Sequence, residues 1–142
     1  MFKRAVLLFI ASLFITSCLG SIFSDPADAF VGDYSYTNSY FVRWGGDSKS
    51  STITGYFSLT KISYNTVQMT GAWTTTGTVT VNTVRFDICP QSDSKGYVTY
   101  TFGSGRLSGN TLSFSYTGSG SVKYSLVAYP WEESGNVTAT RQ

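Results

Sequence analysis

The side chains that could take part in catalysis are few, and their types exclude most catalytic arrangements. The sequence contains no histidine, so Ser-His-Asp and Cys-His sets cannot form and the usual zinc ligands are missing. A pair of carboxylates remains conceivable, because glycoside hydrolysis needs only two. We expect Asp33 and Asp87 on the polar face of their strands, and the other acids in loops or in the N-terminal lead. The sequence therefore predicts a protein that is not an enzyme and that carries no metal ion or cofactor. The acidic residues are Asp25, Asp28, Asp33, Asp47, Asp87, Asp93, Glu132 and Glu133.

Aromatic side chains are the more promising feature, because many fall on the predicted inner face of strands. Flat apolar rings with a few hydroxyl groups suit a small apolar or aromatic ligand. The same rings can also fill the interior of a small sheet protein and leave no cavity, so both interpretations stay open. Phe102 and Phe114 share this face. The candidate ligand-binding residues are Tyr34, Tyr36, Tyr40, Trp44, Phe57, Trp73, Tyr100, Tyr116 and Tyr124.

A second candidate contact site is the segment 129–133, Tyr-Pro-Trp-Glu-Glu, which follows the seventh predicted strand. If this segment is an exposed loop, Tyr129 and Trp131 mark a surface for a protein partner. A loop that folds back over one end of the sheet would explain the same residues, and the sequence favours neither interpretation.

The N-terminus reads as a targeting segment. Lys3 and Arg4 precede an apolar run over residues 5–14, which is shorter than the ~20 residues that a spanning helix needs. We therefore predict a secretion signal over residues 1–17. The four residues 15–18, Ile-Thr-Ser-Cys, resemble the bacterial lipobox. This resemblance implies that Cys18 carries lipid and anchors the mature chain to a membrane. Leu19 in place of an aspartate implies the outer rather than the inner membrane.

Two consequences follow for the mature chain. Loss of Lys3 and Arg4 leaves equal numbers of basic and acidic residues, so we expect no nucleic-acid partner. With Cys18 lipidated, Cys89 has no disulfide partner, and we interpret it as a small apolar residue rather than a reactive thiol. Residues 18–29 are predicted to be a lipidated tether, although an N-terminal segment packed across one end of the domain is the alternative.

Residues 30–142 show alternation of apolar and polar side chains, which is typical of half-buried strands. The first run is the longest, from Phe30 to Trp44. We expect the third strand to continue from Val67 through Val79 with a bulge at 75–77. The eight predicted strands centre on residues 30–44, 53–59, 67–79, 84–88, 98–107, 112–116, 122–126 and 137–139.

An internal repeat supports this assignment. The ten residues from Gly77 to Phe86 match those from Gly105 to Phe114, and residues 65–69 carry a shorter copy. Each copy contains Asn-Thr. Asparagine tolerates the left-handed backbone of a tight turn, and threonine favours the strand that follows. Each copy is therefore predicted to form one hairpin, with each strand paired to the next.

Eight successive antiparallel strands predict an all-β, up-and-down meander barrel, since closure removes both free edges. The strand order and Gly32-Asp33-Tyr34 in the first strand resemble the lipocalin-like (calycin) barrels, in which a tryptophan stands at the third position. That resemblance implies a barrel over residues 30–142 and a bound small ligand. Other small lipid-anchored barrels inhibit lysozyme through an exposed loop, so a protein-binding module or a structural envelope protein is the alternative.

Overall fold

The computed structural model describes residues 24–142. The predicted signal peptide, the lipidation of Cys18 and the first half of the tether lie outside these residues. The described chain is all-β, with one antiparallel sheet and no α-helix. None of its helical turns is long or apolar enough to cross a membrane.

The sheet has ten strands, preceded by a 3-10 helix. The helix spans Pro26–Ala29, and the strands are β1 (Gly32–Trp44), β2 (Asp47–Ser63), β3 (Thr66–Gly71), β4 (Thr75–Thr80), β5 (Thr83–Phe86), β6 (Cys89–Asp93), β7 (Gly96–Phe102), β8 (Gly105–Ser108), β9 (Thr111–Tyr124) and β10 (Val127–Arg141).

Eight of the strands form a hydrogen-bonded ring in the order β1-β2-β3-β4-β5-β8-β9-β10, with β10 returning to β1. The closing pair runs from Tyr34 opposite Arg141 to Trp44 opposite Trp131. The prediction of an all-β antiparallel sheet is thus confirmed. The predicted strict meander is wrong, because the β6–β7 hairpin stands outside the ring and the predicted sixth and seventh strands form one strand, β9.

β7 and β8 occupy the stretch where one continuous strand was predicted over residues 98–107, and β6 lies before it, between two predicted strands. The chain breaks at Gly103–Ser104, so that β7 pairs with the second half of β9 and β8 with the first half. β9 is 14 residues long and β8 only 4, so a single short strand cannot cover its edge. The break lets two strands follow one another along that edge.

The third predicted strand is also wrong. Residues 72–74 turn the chain, and β3 and β4 pair antiparallel with Thr66 opposite Thr78. Val67 and Val79 both face the core. A bulge and a reversal preserve the same inward pattern, so alternation alone could not separate them.

The repeat does form hairpins, as predicted: its copies are the β4–β5, β8–β9 and β2–β3 connections. The left-handed residue, however, precedes the asparagine. Val81 has φ of 54° and Gly109 has φ of 58°. Val81 therefore adopts a conformation that disfavours β-branched side chains.

The ring has a closed half and an open half. In the closed half, β2 pairs with β3 from Phe57 onward. In the open half, residues 47–56 of β2 pair with β1 only, and the sheet runs β2-β1-β10-β9-β7-β6 between two free edges. The ring closes around the hydrophobic core. The face of the sheet that contacts this core continues into the open half, where we call it the inner face.

The closed half is filled with packed side chains. The 3-10 helix lies against β2 and β4 at the end of the closed half that is opposite the open half. There the Ala27 amide donates to the Tyr64 carbonyl. Ala27 and Phe30 are fully buried there. The Tyr34 hydroxyl donates to the Phe30 carbonyl at 2.8 Å. Residues 26–30 thus pack across this end, which is the alternative that we left open for the N-terminal lead.

Candidate functional site

The inner face of the open half carries a groove. Its larger part has a volume of about 370 Å³. An adjoining hollow of about 300 Å³ against β6 and β7 shares Tyr124 and Trp131 with it. The two are therefore parts of one groove, divided by these two rings. The larger part is lined by Tyr40, Val42, Trp44, Lys49, Ile53, Tyr124, Trp131 and Glu133.

A single carboxylate, that of Glu133, is held on this face by three aromatic donors. The Tyr116 hydroxyl donates to Oε1 at 2.6 Å. The Tyr100 hydroxyl and the Trp131 indole N–H donate to Oε2 at 3.4 and 3.3 Å. Because the donors come from β7, β9 and β10, the position of the carboxylate is fixed by three strands of the sheet.

Two glycines create the space that these tyrosines need. Gly135 lies opposite Tyr116, and a Cβ on it would stand 2.5 Å from a carbon of the Tyr116 ring. Gly118 lies between Tyr100 and Glu133 in the sheet, and a Cβ on it would stand 2.9 Å from the Tyr100 ring. Each ring therefore lies flat across a glycine of the neighbouring strand and reaches the carboxylate.

The tyrosines of this network stay protonated. Burial, together with the hydrogen bond to Glu133, raises the pKa of Tyr116 far above its ordinary value. Burial and the nearby Glu133 charge raise the pKa of Tyr100 as well. Each of the two phenols therefore acts as a hydrogen-bond donor to Glu133 and not as a base at neutral pH.

The network extends into the interior through Asn38. Its Nδ2 donates to the Tyr116 hydroxyl at 2.8 Å, and the side chain is 2% exposed. Within residues 24–142 its Oδ1 has no hydrogen-bond partner. A buried polar chain thus leads from Asn38 through Tyr116 to Glu133 at the groove.

The wall beside Glu133 is a pair of stacked indoles. Trp44 and Trp131 are cross-strand partners with ring centroids 5.9 Å apart and an interplanar angle of 27°. Both rings are half-buried, so they keep surface toward the groove. Beyond them, Tyr129 packs under Gly45, where a Cβ would stand 2.5 Å from the ring.

The candidate residues divide into two groups. In the closed half the rings pack on one another: Trp73 lies 5.2 Å from Tyr116 and 6.0 Å from Tyr36. Phe57 stacks on Tyr34 at 5.2 Å. These five rings form core and not a cavity wall.

The second group lies in the open half. Tyr40, Trp44 and Tyr124 line the groove, and Tyr100 stands at its base through its bond to Glu133. The structure thus brings only part of the predicted set together around open space.

The predicted loop at 129–133 is wrong, because these residues lie within β10. Pro130 fits within this strand because it falls beyond the end of β1, where β10 has a neighbour on one side only. A strand can accommodate a missing N–H there. Trp131 consequently faces the groove, and Glu132 and Glu133 point to opposite faces.

Glu133 is a residue of the candidate site that was not predicted from the sequence. The signal was present: positions 131, 133, 135, 137 and 139 continue one alternating series to the buried Val137 and Ala139. Extending that series toward the N-terminus would have placed Glu133 on the inner face.

Cys89 is buried, with its Sγ 3.4 Å from the Thr74 carbonyl. No three potential metal ligands come together within residues 24–142.

Comparison with known proteins adds no assignment. No protein-family model matches the chain, and no curated protein is significantly similar to it in sequence.

Proposed function

We propose that this protein binds a small ligand without catalysis, and that the ligand lies in the groove of the open half. One observation carries the proposal: a half-buried carboxylate, held by three aromatic donors, stands beside a stacked indole pair in open space. Such preorganised polar groups among apolar walls are characteristic of ligand sites. The ligand is apolar or aromatic on the face that meets the rings.

The arrangement of acids favours binding over hydrolysis. Glycoside hydrolysis needs two carboxyl groups on either side of a bond. In the larger part of the groove Glu133 is the one acid. Asp93, which lines the adjoining hollow, accepts from the Lys95 and Gly96 amides and so forms the β6–β7 turn.

We also propose that the closed half of the ring is a lipocalin-like barrel and that Cys18 carries a lipid anchor in the bacterial outer membrane. The ring order, Gly32-Asp33-Tyr34 and the lipobox-like leader support this proposal. Because residues 26–30 pack at the closed end, the anchor would hold that end toward the membrane. The groove would then open away from the lipid.

Native mass spectrometry of the lipidated protein purified from its own envelope tests the binding proposal. We expect a carried small molecule whose release by denaturation leaves the bare mass. Trp44→Ala should lose it, and Ile62→Ala, which changes an exposed side chain of the closed half, should retain it. A bare mass throughout, with no quenching of tryptophan fluorescence by envelope extract, would contradict the proposal.

A protein partner is the second candidate, and the β9–β10 turn favours it. Leu126 is 100% exposed at the tip of this hairpin, and Tyr124 and Val127 beside it are 61% and 51% exposed. A cluster of exposed apolar side chains at a tip is typical of contact surfaces. If this candidate is correct, the same spectra show a protein complex that Leu126→Ser removes.

A further inference from the structure

The Glu133 carboxylate makes no ion pair within residues 24–142. The ion pairs within residues 24–142 join Arg43 to Glu132, and Lys61 to Asp25 and Asp28. Glu133 is half-buried, so its charge is less screened than that of a surface acid. The groove therefore offers a carboxylate that is not held in an ion pair, although Lys49 also lines this space.

The rings around this charge provide the second element of recognition. Tyr40, Trp44, Tyr124 and Trp131 line the same pocket as Glu133. The face of an aromatic ring attracts a cation, and tryptophan does so most strongly. A carboxylate and four aromatic rings around one space thus favour a ligand that is both positive and apolar.

The hydrogen bonds to Glu133 narrow the ligand further. Tyr116, Tyr100 and Trp131 already occupy most acceptor positions of its two oxygens. A primary ammonium or a sugar would require free acceptors in the site. A quaternary, fully methylated ammonium has no N–H to satisfy and needs only charge and ring faces.

Resting on the proposed binding function, we propose that the groove takes a small organic cation whose charge sits on a quaternary, fully methylated ammonium group. The ammonium lies against Trp44 and Trp131, next to the Glu133 carboxylate. Its source is a free solute or the headgroup of a lipid outside the anchoring membrane, and both present the same chemistry.

Lys49 is the one cation that lines this pocket. It lies on the free edge of β2 and is exposed, so solvent screens it and its long stem can turn away from the groove. Its charge opposes that of the proposed ligand. Removal of this charge should therefore tighten binding slightly.

Isothermal titration with choline and with its neutral isostere 3,3-dimethylbutan-1-ol tests the inference. We expect choline to bind at least tenfold more tightly than the isostere. Glu133→Gln, which keeps an acceptor for Tyr116 but removes the charge, should weaken the binding of choline at least tenfold. Lys49→Gln should bind choline as tightly as the wild type, or two- to threefold more tightly.

The outcomes separate the two proposals. If the isostere binds as well as choline and Glu133→Gln changes nothing, the cation inference is overturned while the groove remains a ligand site. If neither probe binds and the envelope-purified protein carries no small molecule, the proposed function itself fails. Since Glu133→Gln could perturb folding, Trp44→Leu serves as a second variant; undiminished choline binding by it would also overturn the inference.

A further arm distinguishes the sources of the cation. Co-sedimentation of the protein with phosphatidylcholine vesicles, competed by soluble choline, would identify a headgroup ligand. Choline binding without co-sedimentation would identify a free solute. Either result supports a methylated ammonium as the ligand chemistry.

Discussion

Glu132 and Glu133 are adjacent in sequence yet lie on opposite faces of β10, and they provide a matched pair of substitutions. Glu133→Ala removes the acceptor of three hydrogen bonds. Glu132→Ala removes an exposed ion pair with Arg43 at 4.0 Å, with side chains 62% and 70% exposed. The two changes delete the same atoms, so they differ only in environment.

The expected magnitudes follow from these contacts. A hydrogen bond to a charged group contributes about 1.5–3 kcal/mol, and a buried donor left without a partner costs a similar amount. The short bond from Tyr116 dominates, and the longer bonds from Tyr100 and Trp131 add less. We expect Glu133→Ala to lower the free energy of unfolding by about 2–3 kcal/mol. An exposed ion pair contributes at most about 0.5–1 kcal/mol, and we expect the lower end for Glu132→Ala.

Urea denaturation followed by fluorescence measures both variants. With a slope of about 1.5 kcal/mol/M, the midpoint of Glu133→Ala should fall by roughly 1.3–2 M at unchanged slope. A double-mutant cycle with Tyr116→Phe should give a coupling energy of about 1–2 kcal/mol. Equal midpoints for the two glutamate variants, or a coupling energy near zero, would refute the account of the network.

Three further predictions concern stability. Val81→Gly should stabilise the fold by about 0.5–1 kcal/mol, because it removes a β-branched side chain from a left-handed backbone position. Gly109→Val, at φ of 58° with nothing within 4 Å, should destabilise the fold by a similar amount. Thermal denaturation measures both variants, and shifts in the same direction would contradict this explanation. Since the folded-state pKa values of Tyr100 and Tyr116 lie above 10.0, the unfolded state ionises first; stability should be level below pH ~10 and then fall with rising pH by up to about 1.4 kcal/mol per pH unit for each tyrosine. Tyr116→Phe should reduce this loss of stability per pH unit, measured by urea denaturation at each pH. An unchanged dependence on pH would contradict the prediction. Gly135→Ala, whose new Cβ would stand 2.5 Å from the Tyr116 ring, should cost about 1–3 kcal/mol by overpacking, and wild-type stability for this variant would show that the ring does not lie across Gly135.

The sequence predicted local pairing better than it predicted connections. Alternation placed Tyr34, Tyr36 and Asn38 on the inner face of β1, and all three are buried. The repeat located the hairpins because turn chemistry is local. Alternation could not show whether residues 72–74 reverse the chain, because a bulge and a reversal both leave Val67 and Val79 facing the core.

The candidate site was only partly predictable for a similar reason. Aromatic residues on the inner face were visible in the sequence, but burial divides them into core and groove. That division depends on where β2 loses its second neighbour, at Phe57. The role of Glu133 depends on Tyr100 and Tyr116, which reach it across Gly118 and Gly135. Such a contact follows from register and not from spacing along one strand.

The three tryptophans provide the most direct test of the central claim, that the open half and not the packed interior holds the ligand. Their indole N–H signals can be followed by ¹⁵N NMR while choline, or its neutral isostere, is titrated. Trp44 and Trp131 line the groove, whereas Trp73 is 6% exposed within the core. The account predicts that at least one probe shifts the Trp44 and Trp131 signals and leaves Trp73 in place. A shift of Trp73 alone, or three unmoved signals, would contradict it.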